Sequence, residues 1–141
     1  MAEARLGPAR LAGAYAWKSV PASGAKLAFG SDTPVEPPSP FLGFSAAISR
    51  QDSKGEPFGG WQPQERLTRE ETLAAYTANA AYAGFADGRF GRLVKGERAD
   101  FLLLDTDPLM ASPTQVAQTR VLETWVNGQP VYRRDTAAGA R

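Results

Sequence analysis

The sequence contains no histidine and no cysteine. Without cysteine there are no disulfides, no thiolate nucleophile and no Cys-based metal site, which fits a reducing compartment. Without histidine the chain lacks the side chain that most often serves as a general base or a metal ligand near neutral pH. Excess charge of one sign is also missing. Sixteen basic and fifteen acidic residues leave a formal net charge of +1, which gives no electrostatic reason to expect nucleic acid or an anionic membrane as partner. No apolar run approaches the roughly 20 residues of a membrane span. The opening "MAEARLGPARLAGAYAW" lacks the basic-then-apolar order of a signal peptide. These absences predict a soluble cytoplasmic protein with neither a nucleic-acid nor a membrane partner.

What is present is globular in composition. Hydrophobic residues make up 43% and charged residues 22% of 141 residues, enough for one domain of ordinary size. Pro8 suits the first turn of a helix, where no amide donor is needed, and the apolar spacing that follows predicts a helix over about 8–20. "AKLAFG" is apolar on both faces and predicts a strand over about 26–30, covered on both sides. "SDTPVEPPSP" then places four prolines in seven residues. Ser39-Pro40 reads as an N-cap and first helical position, opening a helix over about 40–50 with Phe41, Phe44 and Ile48 on one face. "QDSKGEPFGGWQPQ" reads as a long surface loop.

Thr68 and Glu71 have the Thr-x-x-Glu spacing of a capping box. The helix they open is predicted over about 69–83, burying Leu73, Tyr76, Ala80 and Ala83 and stopping at Gly84. "ADFLLLD" reads as a buried strand, and Ser112-Pro113 as the start of a short turn or helix. "VLETWVNGQPVYRR" reads as a hairpin, because Asn127 and Gly128 both tolerate the positive φ of a tight turn. Residues 135–141 read as a disordered tail.

Four of these stretches, "LAFGSDTPVEPPSPFLGFSAAISRQ", "GGWQPQERLTREETLAAYTANAAYAGF", "GRLVKGERADFLLLDTDP" and "ETWVNGQPVYRR", resemble in order and spacing the C-terminal end of the amidohydrolase superfamily. The YtcJ-like branch of amidohydrolase family 3 is the closest in pattern, from about Arg5 to Arg134. The resemblance implies an α/β fold: the terminal strand and helices of a (β/α)8 TIM barrel in residues 1–90, then C-terminal strands of a small β-sandwich in 91–134. It implies a hydrolase of non-peptide carbon–nitrogen bonds, acting on a small amide-type substrate through water activated by a divalent metal, expected to be zinc.

In that family an aspartate after the last barrel strand binds metal or takes a proton from the activated water, and Asp32 in "FGSD" falls at that position. Asp32 is therefore the candidate catalytic residue and the candidate metal ligand, with Glu36 and Trp61 as candidates for contact with substrate. No other cofactor is implied.

The chain departs from the family in what it omits. A complete barrel takes about 250 residues, and the family's histidine ligands have no counterpart here. The expectation is a C-terminal fragment of a larger enzyme, inactive and metal-free alone, with the missing N-terminal barrel portion as its partner. The alternatives are a catalytically dead binding or assembly module, or one half of a split enzyme.

The residues themselves also admit plainer roles. Asp32 before Thr-Pro suits a turn or strand-end cap. Ser31 is a turn residue rather than a nucleophile, with no histidine to activate it. Glu36 suits a solvated loop, and Trp61 suits a loop anchor that buries its ring. Asn79, a poor helix former, suits a hydrogen bond to a neighbouring loop. Asp100 and Asp105 suit turns and caps.

Overall fold

The computed structural model describes residues 2–135; the tail, from residue 136 on, lies outside the described residues. The element order is helix-rich in the first two-thirds and strand-rich after it. Helix α1 (Ala2–Leu6) is followed by a 3-10 segment (Pro8–Gly13), and α2 (Ser19–Ala22) by a long stretch without regular structure. Helices α3 (Pro40–Ser49), α4 (Arg69–Tyr76) and α5 (Ala78–Ala83) carry the centre of the chain. Strand β1 (Phe101–Leu104), helix α6 (Pro113–Ala117) and strands β2 (Val121–Val126) and β3 (Gln129–Arg133) complete it.

The single helix expected over 8–20 is two short pieces, the 3-10 segment and α2. Gly13 ends the 3-10 segment, and Tyr15 takes a left-handed φ of 53°, which no α-helix accommodates. Pro21 does not end α2, because it lies in its first turn, where no amide donor is required. The helix expected over 69–83 is likewise two. Its capping box forms as read: Glu71 N donates to Thr68 Oγ1 at 3.1 Å, and Thr68 N to Glu71 Oε2 at 2.7 Å. Thr77 then breaks the run at φ −126°, ψ −93°, its hydroxyl donating back to the Leu73 carbonyl at 2.7 Å. A threonine hydroxyl bonded to the preceding turn competes with the helical ladder.

Thr72, Ala75 and Ala81 are buried, whereas Leu73 and Ala83 are exposed. The buried face is thus rotated from the one the spacing predicted.

The core sits where α3 meets α4 and α6. Phe41, Phe44 and Ala47 of α3, Ala75 of α4 and Val116 of α6 are its buried apolar residues. Full burial of Val116 is worth about 1.5–3 kcal/mol. A β-carbon on Gly43 would stand 2.0 Å from Tyr76 Oη, so any larger residue there would have to displace the tyrosine hydroxyl. Helix α3 begins at Pro40 as expected, although the Ser39 side chain caps nothing. The Ser112/Gln115 capping box opens α6.

Residues 25–31 are extended but not a strand. Among the described residues two hydrogen bonds tie residues 25–30 to the helices: Phe29 N to the Ala75 carbonyl at 3.0 Å, and Asn79 Nδ2 to the Leu27 carbonyl at 3.1 Å. A strand is defined by a neighbour, and among the described residues none pairs with this one. It is covered on one side: Leu27 and Phe29 are half-buried, while Ala28 and Gly30 face solvent. The two-sided burial read from its composition is absent.

The strands form one antiparallel sheet in the order β1-β2-β3. The β2–β3 turn is the expected Asn-Gly, at φ 52° and 71°, matching the mirror-image turn that suits a twisted hairpin. Strand β1 is not the buried strand its sequence suggests, because Leu102 and Leu103 stay 42% and 45% exposed. It pairs with β2 on one edge, and no described residue pairs with the other. Among the described residues no helix is long and apolar enough to cross a membrane.

Candidate active-site loop and an aromatic cleft

The extended segment delivers Asp32 to the head of a closed loop. Asp32 takes a left-handed φ of 50°, and the next peptide, Thr33–Pro34, is cis. Val35 N donates to the Asp32 carbonyl at 2.8 Å, and Glu36 N to the Ser31 carbonyl at 3.2 Å. Ser31 Oγ and Thr33 Oγ1 lie 2.9 Å apart, and Thr33 Oγ1 donates to the Glu36 carbonyl at 3.2 Å. The loop therefore satisfies itself with backbone and hydroxyl groups. Ser31 is a turn residue here, as its sequence context suggests.

The Asp32 and Glu36 side chains take no part in this closure. Both residues are exposed, and neither carboxylate accepts a hydrogen bond from any described residue. Asp32 is thus not a side-chain cap. It is an unengaged carboxylate on a rigid turn, open to whatever stands opposite. Among the described residues no three carboxylates, histidines or cysteines come together as a metal site would require.

Trp61 lies elsewhere. With Tyr15, Trp17, Ala46, Arg50 and Gln51 it lines a cleft of about 460 Å³ that includes neither Asp32 nor Glu36. Its indole meets the Tyr15 ring edge-on at 5.6 Å and donates through Nε1 to Glu3 Oε1 at 2.7 Å. The anchoring role expected for Trp61 is the one its contacts describe.

The composition gives no hint of the residue at the floor of this cleft, Arg50. It ends α3 in a left-handed turn at φ 61°, and only 6% of it is exposed. Its guanidinium lies 4.3 Å from the centre of the Trp17 ring and 5.2 Å from that of Trp61. Burial lowers its pKa, and the charge of Glu65 opposes that shift. Reading Arg50 as the last turn of a helix overlooks it; the signal is its place between Trp17 and Trp61, two tryptophans distant in sequence.

Glu65 is buried as well. Its carboxylate accepts from Ser19 Oγ at 2.6 Å and from the amides of Lys18 and Ser19 at 2.8 and 3.0 Å. These bonds, the Ser19 hydroxyl first, hold its pKa below the usual glutamate value. Glu65 caps the start of α2 from a distance of 46 residues along the chain.

The other polar residues have structural roles. Asn79 bonds the Leu27 carbonyl. Asp100 pairs with Arg98 and accepts from Asn127 N at 2.7 Å, and Asp105 accepts from Arg120 N at 2.9 Å. Both acids are held below the usual carboxylate range, Asp100 chiefly by Arg98 and Asp105 chiefly by the Arg120 amide.

A second concavity, a groove of about 970 Å³, runs between the helices and β1, walled by Phe41, Phe44, Leu73, Tyr76, Phe90 and Phe101 among others. The face of α4 that sequence spacing assigned to a core forms one side of it.

A family model described as "Amidohydrolase family" covers residues 1–132. The chain is 34% identical over 130 residues to the "Putative amidohydrolase YtcJ" of Bacillus subtilis (strain 168), covering 92% of this chain and 25% of that one. It is 32% identical over 112 residues to the N-substituted formamide deformylase of Arthrobacter pascens, covering 79% of this chain and 20% of the relative. Among solved structures it resembles an uncharacterized metal-dependent hydrolase from Pyrococcus horikoshii OT3, with a TM-score of 0.65 and 30% identity, over 76% of this chain and 22% of that one. The chain spans a quarter or less of the length of these proteins.

Proposed function

The chain belongs to the amidohydrolase family, and we propose that it is the C-terminal part of a metal-dependent enzyme hydrolysing non-peptide carbon–nitrogen bonds, with Asp32 as its catalytic carboxylate. The observation that carries this reading is the placement of Asp32. The turn after residues 26–30 closes on itself and leaves the Asp32 carboxylate, like that of Glu36, exposed and without a hydrogen-bond partner among the described residues. A residue held for structure would be bonded, as Asp100 and Asp105 are.

In this reading residues 1–90 are the end of a (β/α)8 barrel, and its last strand lies at about 26–30. Its edges lack neighbours because the adjoining strands belong to sequence outside this chain. Residues 91–134 supply strands to a small β-sandwich, and the open edge of β1 is where further strands would join. The apolar groove beside β1 suits the same account, since apolar surface of that extent is normally covered.

The described residues do not by themselves suit a divalent metal. Catalytic sites of this kind use three or more protein ligands, and Asp32 is one exposed carboxylate without a second ligand beside it. Where the remaining ligands are supplied, the metal, zinc in this reading, would bring the acidity that makes water a nucleophile at neutral pH. The part that falls to this chain is proton transfer. An Asp32 carboxylate oxygen accepts a proton and delivers it to the leaving nitrogen, as a general base that then acts as acid. Glu36, four residues on in the same loop and exposed, is the side chain this reading assigns to contact with a small amide-type substrate. Trp61 serves substrate only through the separate cleft it lines.

Co-expression tests the reading. This chain is produced with the histidine-bearing N-terminal portion of the Bacillus subtilis relative, up to its matched segment. Association of the two with uptake of divalent metal supports it. Two parts that never associate, with Asp32→Asn behaving as the unaltered chain does, favour a binding module without catalysis.

A further inference from the structure

The cleft on the far side of α3 has the features of a binding site. Its floor is a guanidinium that is more than nine-tenths buried, and its walls are Tyr15, Trp17 and Trp61. Arg50 makes one side-chain hydrogen bond, from Nε to the Trp61 carbonyl at 3.0 Å. Its Nη2 is buried with no acceptor among the described residues. A buried guanidinium N–H left without an acceptor is costly, and native structures rarely leave one so.

The neighbouring acids do not meet this need. Glu65 is spent on the Ser19 hydroxyl and on two backbone amides. Glu3 is bonded to the Trp61 indole at the rim. Neither forms an ion pair with Arg50 among the described residues. The cation is therefore held by that one hydrogen bond and by the Trp17 and Trp61 ring faces.

We propose that this cleft binds a small carboxylate carried on a flat apolar body. Arg50 is the cation that lines the cleft, and a planar guanidinium is the donor type that suits a carboxylate. Trp61 and Tyr15 offer rings against which a flat body packs, and Gln51 adds an amide at the edge. A cleft of about 460 Å³ lies within the usual range for small-molecule sites. The proposal does not depend on the hydrolase reading, because the cleft includes no atom of Asp32 or Glu36.

Benzoate is the probe, benzamide its neutral counterpart of the same shape. Both are titrated into the full chain by calorimetry, with tryptophan fluorescence as a second readout. The expected result is saturable benzoate binding that quenches tryptophan emission, with benzamide at least about tenfold weaker, a difference of about 1.4 kcal/mol. Arg50→Met abolishes benzoate binding, and Arg50→Lys weakens it while retaining some. Glu3→Gln, which removes a like charge from the rim, tightens it. Should Arg50→Met fail to fold, the benzoate–benzamide contrast and the Glu3→Gln effect decide. Equal affinity for the two probes, no saturation by benzoate, or no response to Glu3→Gln overturns the proposal.

Discussion

Asn79 Nδ2 reaches across from α5 to the Leu27 carbonyl, 3.1 Å away, and so ties a helix to the extended segment that ends at Asp32. With the Phe29 amide on the Ala75 carbonyl, it fixes where that segment lies. Asn79→Ala removes the donor and leaves the carbonyl half-buried. It should lower stability by about 1 kcal/mol, read as a lower denaturant midpoint. Asn79→Asp cannot donate to a carbonyl and should do no better.

Glu65 makes stability depend on pH. Its folded pKa lies below its ordinary value because the Ser19 hydroxyl and the Lys18 and Ser19 amides favour the carboxylate. Folding thus favours the ionised form. The contribution is fully present above the ordinary glutamate range and is lost as pH falls through the lower, folded value. Melting temperature should fall on acidification through that window, and Glu65→Gln should flatten the fall.

Gly43 and Tyr76 set the spacing of α3 against α4. A β-carbon at Gly43 would overlap Tyr76 Oη, and the ring cannot swing aside freely, since it stacks against Phe44 and tilts against Phe29. Gly43→Ala should cost about 1–3 kcal/mol of stability. Pairing it with Tyr76→Phe, which removes the overlapping oxygen, should recover part of that loss; a double mutant no better than Gly43→Ala alone would remove the explanation.

The open groove and the free edge of β1 predict self-association. Leu102 and Leu103 are largely exposed on a strand with one unpaired edge, a known invitation to edge-to-edge pairing. Sedimentation at rising protein concentration should show growing oligomers, and Leu103→Lys should suppress them.

Local features were legible where the chemistry is local. The Thr68/Glu71 capping box, the Asn-Gly hairpin and the Pro40 helix start each depend on a few neighbouring residues, and each is present. What could not be read depends on distant partners. "KLAFG" has a buried strand's composition, but a strand needs a neighbour to pair with, and among the described residues none does. Leu73 has core spacing, yet nothing described covers it. Thr77 and Tyr15 break helices through single backbone conformations that spacing does not encode.

The same division runs through the candidate sites. Asp32 is singled out by the family resemblance, which one contiguous stretch carries. The Arg50 cleft is not, because α1, the Tyr15–Trp17 turn, the end of α3 and the Trp61 loop assemble it from four separate places.

The central claim is that Asp32 occupies a catalytic position in an amidohydrolase architecture. Its most direct test is a chimera of the Arthrobacter pascens deformylase in which the matched 112-residue segment is replaced by the corresponding part of this chain. The measurement is hydrolysis of an N-substituted formamide by chimeras carrying Asp32 or Asp32→Asn. The account predicts turnover with Asp32 and a loss of at least about 100-fold with asparagine, with unchanged circular dichroism. An Asp32→Asn chimera that turns over as fast as its parent would contradict it.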